Sequence, residues 1–256
     1  MTLPRLLADY RRDLQLALAL LTRLPAGLKD TASGAEQARA TRLYPLVGAL
    51  VGLIGGLVLW LAGGLGVPDP IAAVLALAAL VLATGAFHED GLAGSADGRG
   101  GGGERARKLE IMRDSRIGAY GVLALVFSLV LRGAGLAYLA SAGVGLAALI
   151  AVQALSRAWL PAAMAALPPA RRDGLAAQIA RPGRGEAGFA LVLGLVIAFA
   201  VLGLGPAAWL LAVSVLVAAA WFWLINDQLG GTTGDTLGAL QQVQEIALLI
   251  TLAALL

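Results

Sequence analysis

The sequence predicts an all-α membrane protein, a bundle of six to seven transmembrane helices preceded by an amphipathic helix that lies in the interface. Composition is the first reason: 59% of the 256 residues are hydrophobic and 14% charged, against about 25% charged in soluble domains, and mean hydropathy is +0.82. The second is a series of apolar runs, each long enough to cross about 30 Å of hydrocarbon as a helix. The third is the placing of Lys and Arg, which cluster in three segments between those runs. Too little polar chain remains for a sizeable soluble domain, so residues 1–256 read as one integral membrane domain.

Residues 3–21 open the chain with Leu3, Leu7, Tyr10, Leu14, Ala17 and Leu21 on one helical face and Arg5, Asp9, Arg12 and Asp13 elsewhere. This periodicity suits an amphipathic helix in the interface. A cleaved signal peptide is the rival reading, but Asp13 abuts the apolar stretch and Pro25 follows it. Apolar spans are then expected at 43–66, 70–87, 119–140, 143–166, 188–204 and 207–225. A seventh segment, 237–256, carries Gln241, Gln242, Gln244 and Glu245 in its first half and reads as a weaker candidate. Gly48, Gly52 and Gly56 form a small-residue stripe for close helix contact, within the chain or between copies of a homo-oligomer.

Seven basic residues precede residue 43, six lie in 88–118 and four in 167–187; only Arg132 and Arg157 fall inside spans. With six spans these three segments share one side, which the positive-inside rule makes cytoplasmic together with the N-terminus and loop 226–236. The opposite loops are short and almost uncharged, so any chemistry belongs to the cytoplasmic face. A pI near 9.7 reflects this orientation and no nucleic-acid partner, because the basic residues flank apolar spans without interleaved aromatics. The absence of cysteine excludes disulfides, thiolate nucleophiles and cysteine-ligated metals.

Loop 88–118 gathers what an apolar protein has no packing use for. Glu89, Asp90, Asp97 and Asp114 supply oxygen ligands, and Arg99, Arg105, Arg107, Lys108, Arg113 and Arg116 supply cations. Carboxylates without sulfur suit Mg²⁺ or Mn²⁺, and neighbouring arginines suit a phosphorylated substrate. Gly100 to Gly103 read as a flexible run whose amides can approach an anion. His88, the chain's only histidine, is a candidate ligand or base. Loop 226–236 adds Asp227, Thr232, Thr233 and Asp235, two carboxylates for a metal and a glycine–threonine turn for phosphate. Of the arginines inside spans, Arg157 is expected to reach a polar cavity and Arg132 to snorkel outward.

The string Phe87-His-Glu-Asp-Gly-Leu-Ala, then Ala96-Asp-Gly98, then Arg107-Lys-Leu-Glu-Ile-Met-Arg-Asp-Ser-Arg-Ile-Gly-Ala-Tyr-Gly121 resembles the signature of the cobalamin synthase (adenosylcobinamide-GDP ribazoletransferase) family. The resemblance extends to Leu20-Leu-Thr-Arg-Leu-Pro25, Tyr44-Pro-Leu-Val-Gly48, Ser156-Arg157 and Gly230-Gly-Thr-Thr-Gly-Asp235 through Gly238, and so covers nearly the whole chain. It implies an enzyme of the bacterial or archaeal cytoplasmic (inner) membrane. Such an enzyme joins adenosylcobinamide-GDP to α-ribazole or its 5′-phosphate, releases GMP and uses Mg²⁺. On that basis His88, Glu89, Asp97, Arg113 and Arg116 are expected to be catalytic. Lys108, Ser115, Arg157, Thr232, Thr233 and Asp227 would bind substrate, and Glu89, Asp90, Asp97, Asp114 and Asp235 would hold metal. Where the family reads Leu-Ala-Asp-x-x-Asp-Gly, this chain has Leu92-Ala-Gly94-Ser-Ala-Asp97-Gly98, so Gly94 stands where a metal ligand is expected. Two rivals remain at this point: a transporter for a corrinoid or other anion, and an alcohol phosphotransferase acting on lipid.

Overall fold

The computed structural model of the chain describes residues 3–28, 30–174 and 179–256. These residues form eleven α-helices and no β-strand: α1 (Leu3–Leu21), α2 (Gly34–Ala40), α3 (Tyr44–Gly64), α4 (Asp69–Thr84), α5 (Phe87–Gly101), α6 (Arg105–Ile111), α7 (Ala119–Ser141), α8 (Gly145–Ala166), α9 (Arg184–Leu202), α10 (Leu204–Leu229) and α11 (Gly234–Ala254). A 3₁₀ turn at Thr41–Leu43 joins α2 to α3 as one helical run, Gly34–Gly64. That run, α7, α8, α9, α10 and α11 are each long and apolar enough to cross a membrane. The protein is a multi-pass membrane protein. Rows of outward apolar side chains, among them Trp60, Leu82, Phe127, Val192, Leu216 and Trp223, supply the lipid-facing surface such a bundle requires.

Two expectations about the spans change. The 70–87 run is not one span: α4 ends at Thr84 after 16 residues and is long enough to cross only together with α5, from which it is bent by 91°. Consecutive left-handed residues make the bend, Gly85 at φ 66° and Ala86 at φ 58°, a conformation that side-chain sterics disfavour at alanine. The 237–256 segment, by contrast, is a full apolar helix. Its glutamines point inward, with Gln241, Gln242, Gln244 and Glu245 all buried.

Segment 88–118 is also no loop. Phe87–Gly101 is helical although it holds five glycines, because packing overrides a propensity that costs up to ~1 kcal/mol per glycine. Gly91 lies against Gly238 of α11, where a Cβ on either would meet backbone at 2.9–3.1 Å. The run at Gly100 to Gly103 is correspondingly part helix, with Gly100 beneath the Tyr120 ring and Gly102 against Lys108.

Helix α8 is the centre of the bundle, flanked by α3, α9 and α11. The glycine stripe does its work within the chain: a Cβ at Gly48 or Gly52 would collide with the α8 backbone at Gln153 and Leu149. Helix α1 does not lie free on a surface. Ala17 and Leu21 of its apolar face are buried, while Asp13, read as part of the polar face, is fully buried and paired with Arg39 (3.0 Å) and Arg42 (2.7 Å). The Leu3 and Arg5 side chains lie outside the described residues. Segments 88–118, 167–187 and 226–236 meet at one end of the bundle. Arg105 donates to the Ala170 carbonyl (3.0 Å), and Pro169 and Thr232 form a parallel bridge.

Substituting Gly52→Leu drives a branched side chain into the α8 backbone and is expected to cost about 3 kcal/mol or more. Gly63→Ala, which meets nothing within 4 Å, should be neutral. Thermal unfolding of both variants in detergent, monitored by size-exclusion recovery, checks the pair.

Candidate functional site

A cleft of about 460 Å³ opens at the polar end between α5, the α6–α7 connection and the start of α11. Its α5 wall carries Ala86, Glu89, Asp90, Ala93, Gly94 and Asp97, spaced three and four apart as one helical stripe. Met112 to Ile117 form the rim, and Asp235 faces the wall from α11. The Gly91–Gly238 contact is what brings Asp235 to Asp90 and Gly94. A Cβ built on Gly94 would touch Asp235 Cγ at 3.4 Å, and Asp90 lines the same cleft as Asp235.

The predicted residues take different places around this cleft. Asp97 caps α7: its Oδ2 accepts from the Gly118 N–H (2.7 Å) and its Oδ1 from the Gly121 N–H (2.8 Å). A carboxylate there also faces the positive end of the helix dipole. Glu89 lies at the inner end of the cleft, bound through Oε1 to Arg132 (3.1 Å) and Gln242 (3.2 Å). Arg113 pairs with Asp173 (2.6 Å) and Arg116 with Asp114 (2.7 Å), both at the exposed rim. The Arg116 hydrogen bonds pull the Asp114 carboxyl down to about 2. Ser115 completes the rim.

Other predicted residues stand apart from the cleft. His88 is buried, points into a small apolar cavity of about 40 Å³ with Tyr44, Leu160 and Leu237, and its Nε2 has no partner. Arg157 is buried in α8, bound to the Gln153 carbonyl (3.2 Å) and side-chain oxygen. Lys108 and Arg99 both reach the Gln228 side-chain oxygen (3.4 and 3.1 Å). Thr233 forms a reciprocal capping box with Thr236 at the start of α11, Thr232 holds the bridge to Pro169, and Asp227 is exposed on α10.

Sequence reasoning misplaced one arginine and passed over another. Arg132, expected to snorkel outward, is 1% exposed and binds both Glu89 and Glu245 (3.1 and 3.2 Å). Arg171 approaches Asp235 at 3.8 Å, and Arg171 Nη1 and Asp235 Oδ2 are both buried without a hydrogen bond. Among the described residues no three acidic or histidine side chains form an all-protein metal cage. Mg²⁺ needs only one or two carboxylates when water and substrate phosphate complete its shell. Asp90 and Asp235, whose Oδ2 accepts no hydrogen bond, fit that pattern.

The cobalamin-5-phosphate synthase family model matches residues 13–253, which includes every wall of the cleft. The chain belongs to that family. A relative from Bradyrhizobium diazoefficiens named adenosylcobinamide-GDP ribazoletransferase is 46% identical over 242 residues, 94% of this chain and 93% of its own. Relatives of the same name from Mesorhizobium japonicum and Ralstonia nicotianae are 47% and 43% identical, covering 98% and 97% of this chain and 97% of each of their own. No solved structure matches. The transporter reading finds no support in these relatives.

Because Asp97 caps α7, Asp97→Ala is expected to lower stability by about 1–2 kcal/mol, and Asp97→Asn, which keeps one acceptor, by less. Denaturation of purified protein in detergent, compared with Gly94→Ala as a control in ordinary contact, measures the difference.

Proposed function

We propose that this protein is an adenosylcobinamide-GDP ribazoletransferase. It would join adenosylcobinamide-GDP to α-ribazole or α-ribazole 5′-phosphate and release GMP, in the cytoplasmic membrane with the N-terminus and cleft facing the cytoplasm. The observation that carries the reading is a cleft lined with acids and rimmed with arginines in a chain 43–47% identical to relatives of that name. The basic residues gathered at the cleft end support the orientation.

The reaction is a substitution at a phosphoanhydride: an acceptor hydroxyl attacks phosphorus, and GMP leaves. Asp90 and Asp235 would hold Mg²⁺, which when bound neutralises diphosphate charge and polarises the phosphoryl group. Arg113 and Arg116 stand at the rim in exposed ion pairs worth little in water, so they can exchange their carboxylate partners for substrate phosphates at small cost. Glu89, at the inner end of the cleft, would accept the hydroxyl proton. Arg171 beside Asp235 balances the acidic wall.

Purified protein given adenosylcobinamide-GDP and α-ribazole 5′-phosphate should release GMP and form the joined corrinoid only with Mg²⁺, as read by mass spectrometry. Asp235→Asn should lower kcat about 100-fold or more while the protein stays folded. Gly94→Asp, which adds a carboxylate beside Asp235, should lower the Mg²⁺ concentration needed for half-maximal rate. No product from either wild type or Gly94→Asp overturns the assignment.

A further inference from the structure

Beneath the cleft lies a buried polar cluster at a depth where side chains are usually apolar. A rise of 1.5 Å per residue puts Arg132 about 20 Å along α7 from its Ala119 end, and Glu245 about 16 Å along α11 from Gly234. Both lie near the middle of a hydrocarbon core of about 30 Å. At that depth an ionisable group carries a functional expectation.

The cluster is directed at one carboxylate. Glu89 Oε1 accepts from Arg132 Nη1 (3.1 Å) and Gln242 Nε2 (3.2 Å). The Gln242 side-chain oxygen accepts from the Ser128 hydroxyl (3.0 Å), which turns its NH₂ group toward Glu89. Arg132 Nη1 also reaches Glu245 Oε1 (3.2 Å), and the other Glu245 oxygen accepts from Gln241 (2.9 Å). Every Glu245 oxygen is therefore engaged, whereas Glu89 Oε2 is buried without a hydrogen bond, and of the two glutamates only Glu89 lines the cleft.

We propose that Arg132, Gln242 and Glu245 are positioning residues for the transfer, fixing Glu89 through Oε1 and leaving Oε2 to receive the acceptor proton. This rests on the transferase reading above. The proton passes from the attacking hydroxyl to Glu89 Oε2, the oxygen lone pair forms the new O–P bond, and the anhydride P–O bond breaks with its electron pair leaving on GMP. Glu245 anchors the guanidinium, and Gln242 supplies a second donor to the same Glu89 oxygen.

The double variant Arg132→Met/Glu245→Gln removes one positive and one negative charge, so the net charge of the cluster is kept, and Glu89 loses its arginine but keeps the Gln242 hydrogen bond. In wild-type-like folded protein it should leave KM for both substrates within threefold and lower kcat about 100-fold, the size of effect an ångström-scale misplacement produces. Gln242→Leu, which changes no charge, should lower kcat in the same way and carries the test if the double variant does not fold. Arg132→Lys should recover part of the loss. An unchanged kcat, or a KM rise that accounts for the whole loss, overturns the proposal. A second readout is independent of turnover: a water-soluble carbodiimide should modify Glu89 and spare Glu245 in folded wild-type protein, as mapped by mass spectrometry. Equal or reversed labelling overturns the positioning scheme, whereas absent GMP release with the expected labelling overturns the transferase reading instead.

Discussion

The arrangement depends on keeping four charges together inside the bundle. Glu89, Glu245, Arg132 and Arg157 are all nine-tenths or more buried, two of each sign, and an unpaired arginine at mid-bilayer costs about 2.5–3.5 kcal/mol even on lenient scales. Arg132 pairs with both Glu89 and Glu245, which requires α5, α7 and α11 to meet at one depth, while Arg157 is held by Gln153 within α8. Because Glu89 sits in the first turn of α5, that helix has to begin deep in the bundle and climb toward the polar end. The sharp bend at Gly85 and Ala86 and the cleft along α5 are consequences of this demand. Breaking one pair strands its partner, so the cluster constrains the fold more tightly than apolar packing of the same volume would.

Much of this was legible in the sequence because composition and charge placement act over whole segments. The apolar spans, the gathering of basic residues at one end and the acidic stretch after Phe87 all follow from local counting. What escaped notice depends on partners far away in the chain. Arg132 looked like a residue reaching for water because its two glutamates lie 43 and 113 positions away. The glutamines of α11 looked like a weakness in a span. Their inward face was nonetheless written in the spacing of Gly238, Gln241, Gln242, Glu245 and Leu249, three or four apart as on one side of a helix. Helix α5 was hidden for a different reason: its glycines argue against a helix locally, and only the presence of Gly238 opposite Gly91 turns them into a packing surface.

Asp97 and Gly94 show how a motif can divide its labour. Residues 90, 94 and 97 stand on one stripe of α5, so a pattern with acids at all three would point three carboxylates into the cleft. In this chain both oxygens of Asp97 hold the first turn of α7, which fixes the rim residues that precede that turn. Its electrostatic effect on the cleft is therefore shared with two backbone amides. Glycine at 94 leaves the Asp235 carboxylate without an acid directly opposite. The like-charge repulsion that a cation would otherwise have to offset is correspondingly weaker. With Arg171 beside Asp235 and Arg113 and Arg116 at the rim, a divalent ion held by Asp90 and Asp235 would need substrate phosphate to complete its shell. In this chain metal and substrate are accordingly expected to enter the cleft as one species, with neither held strongly alone.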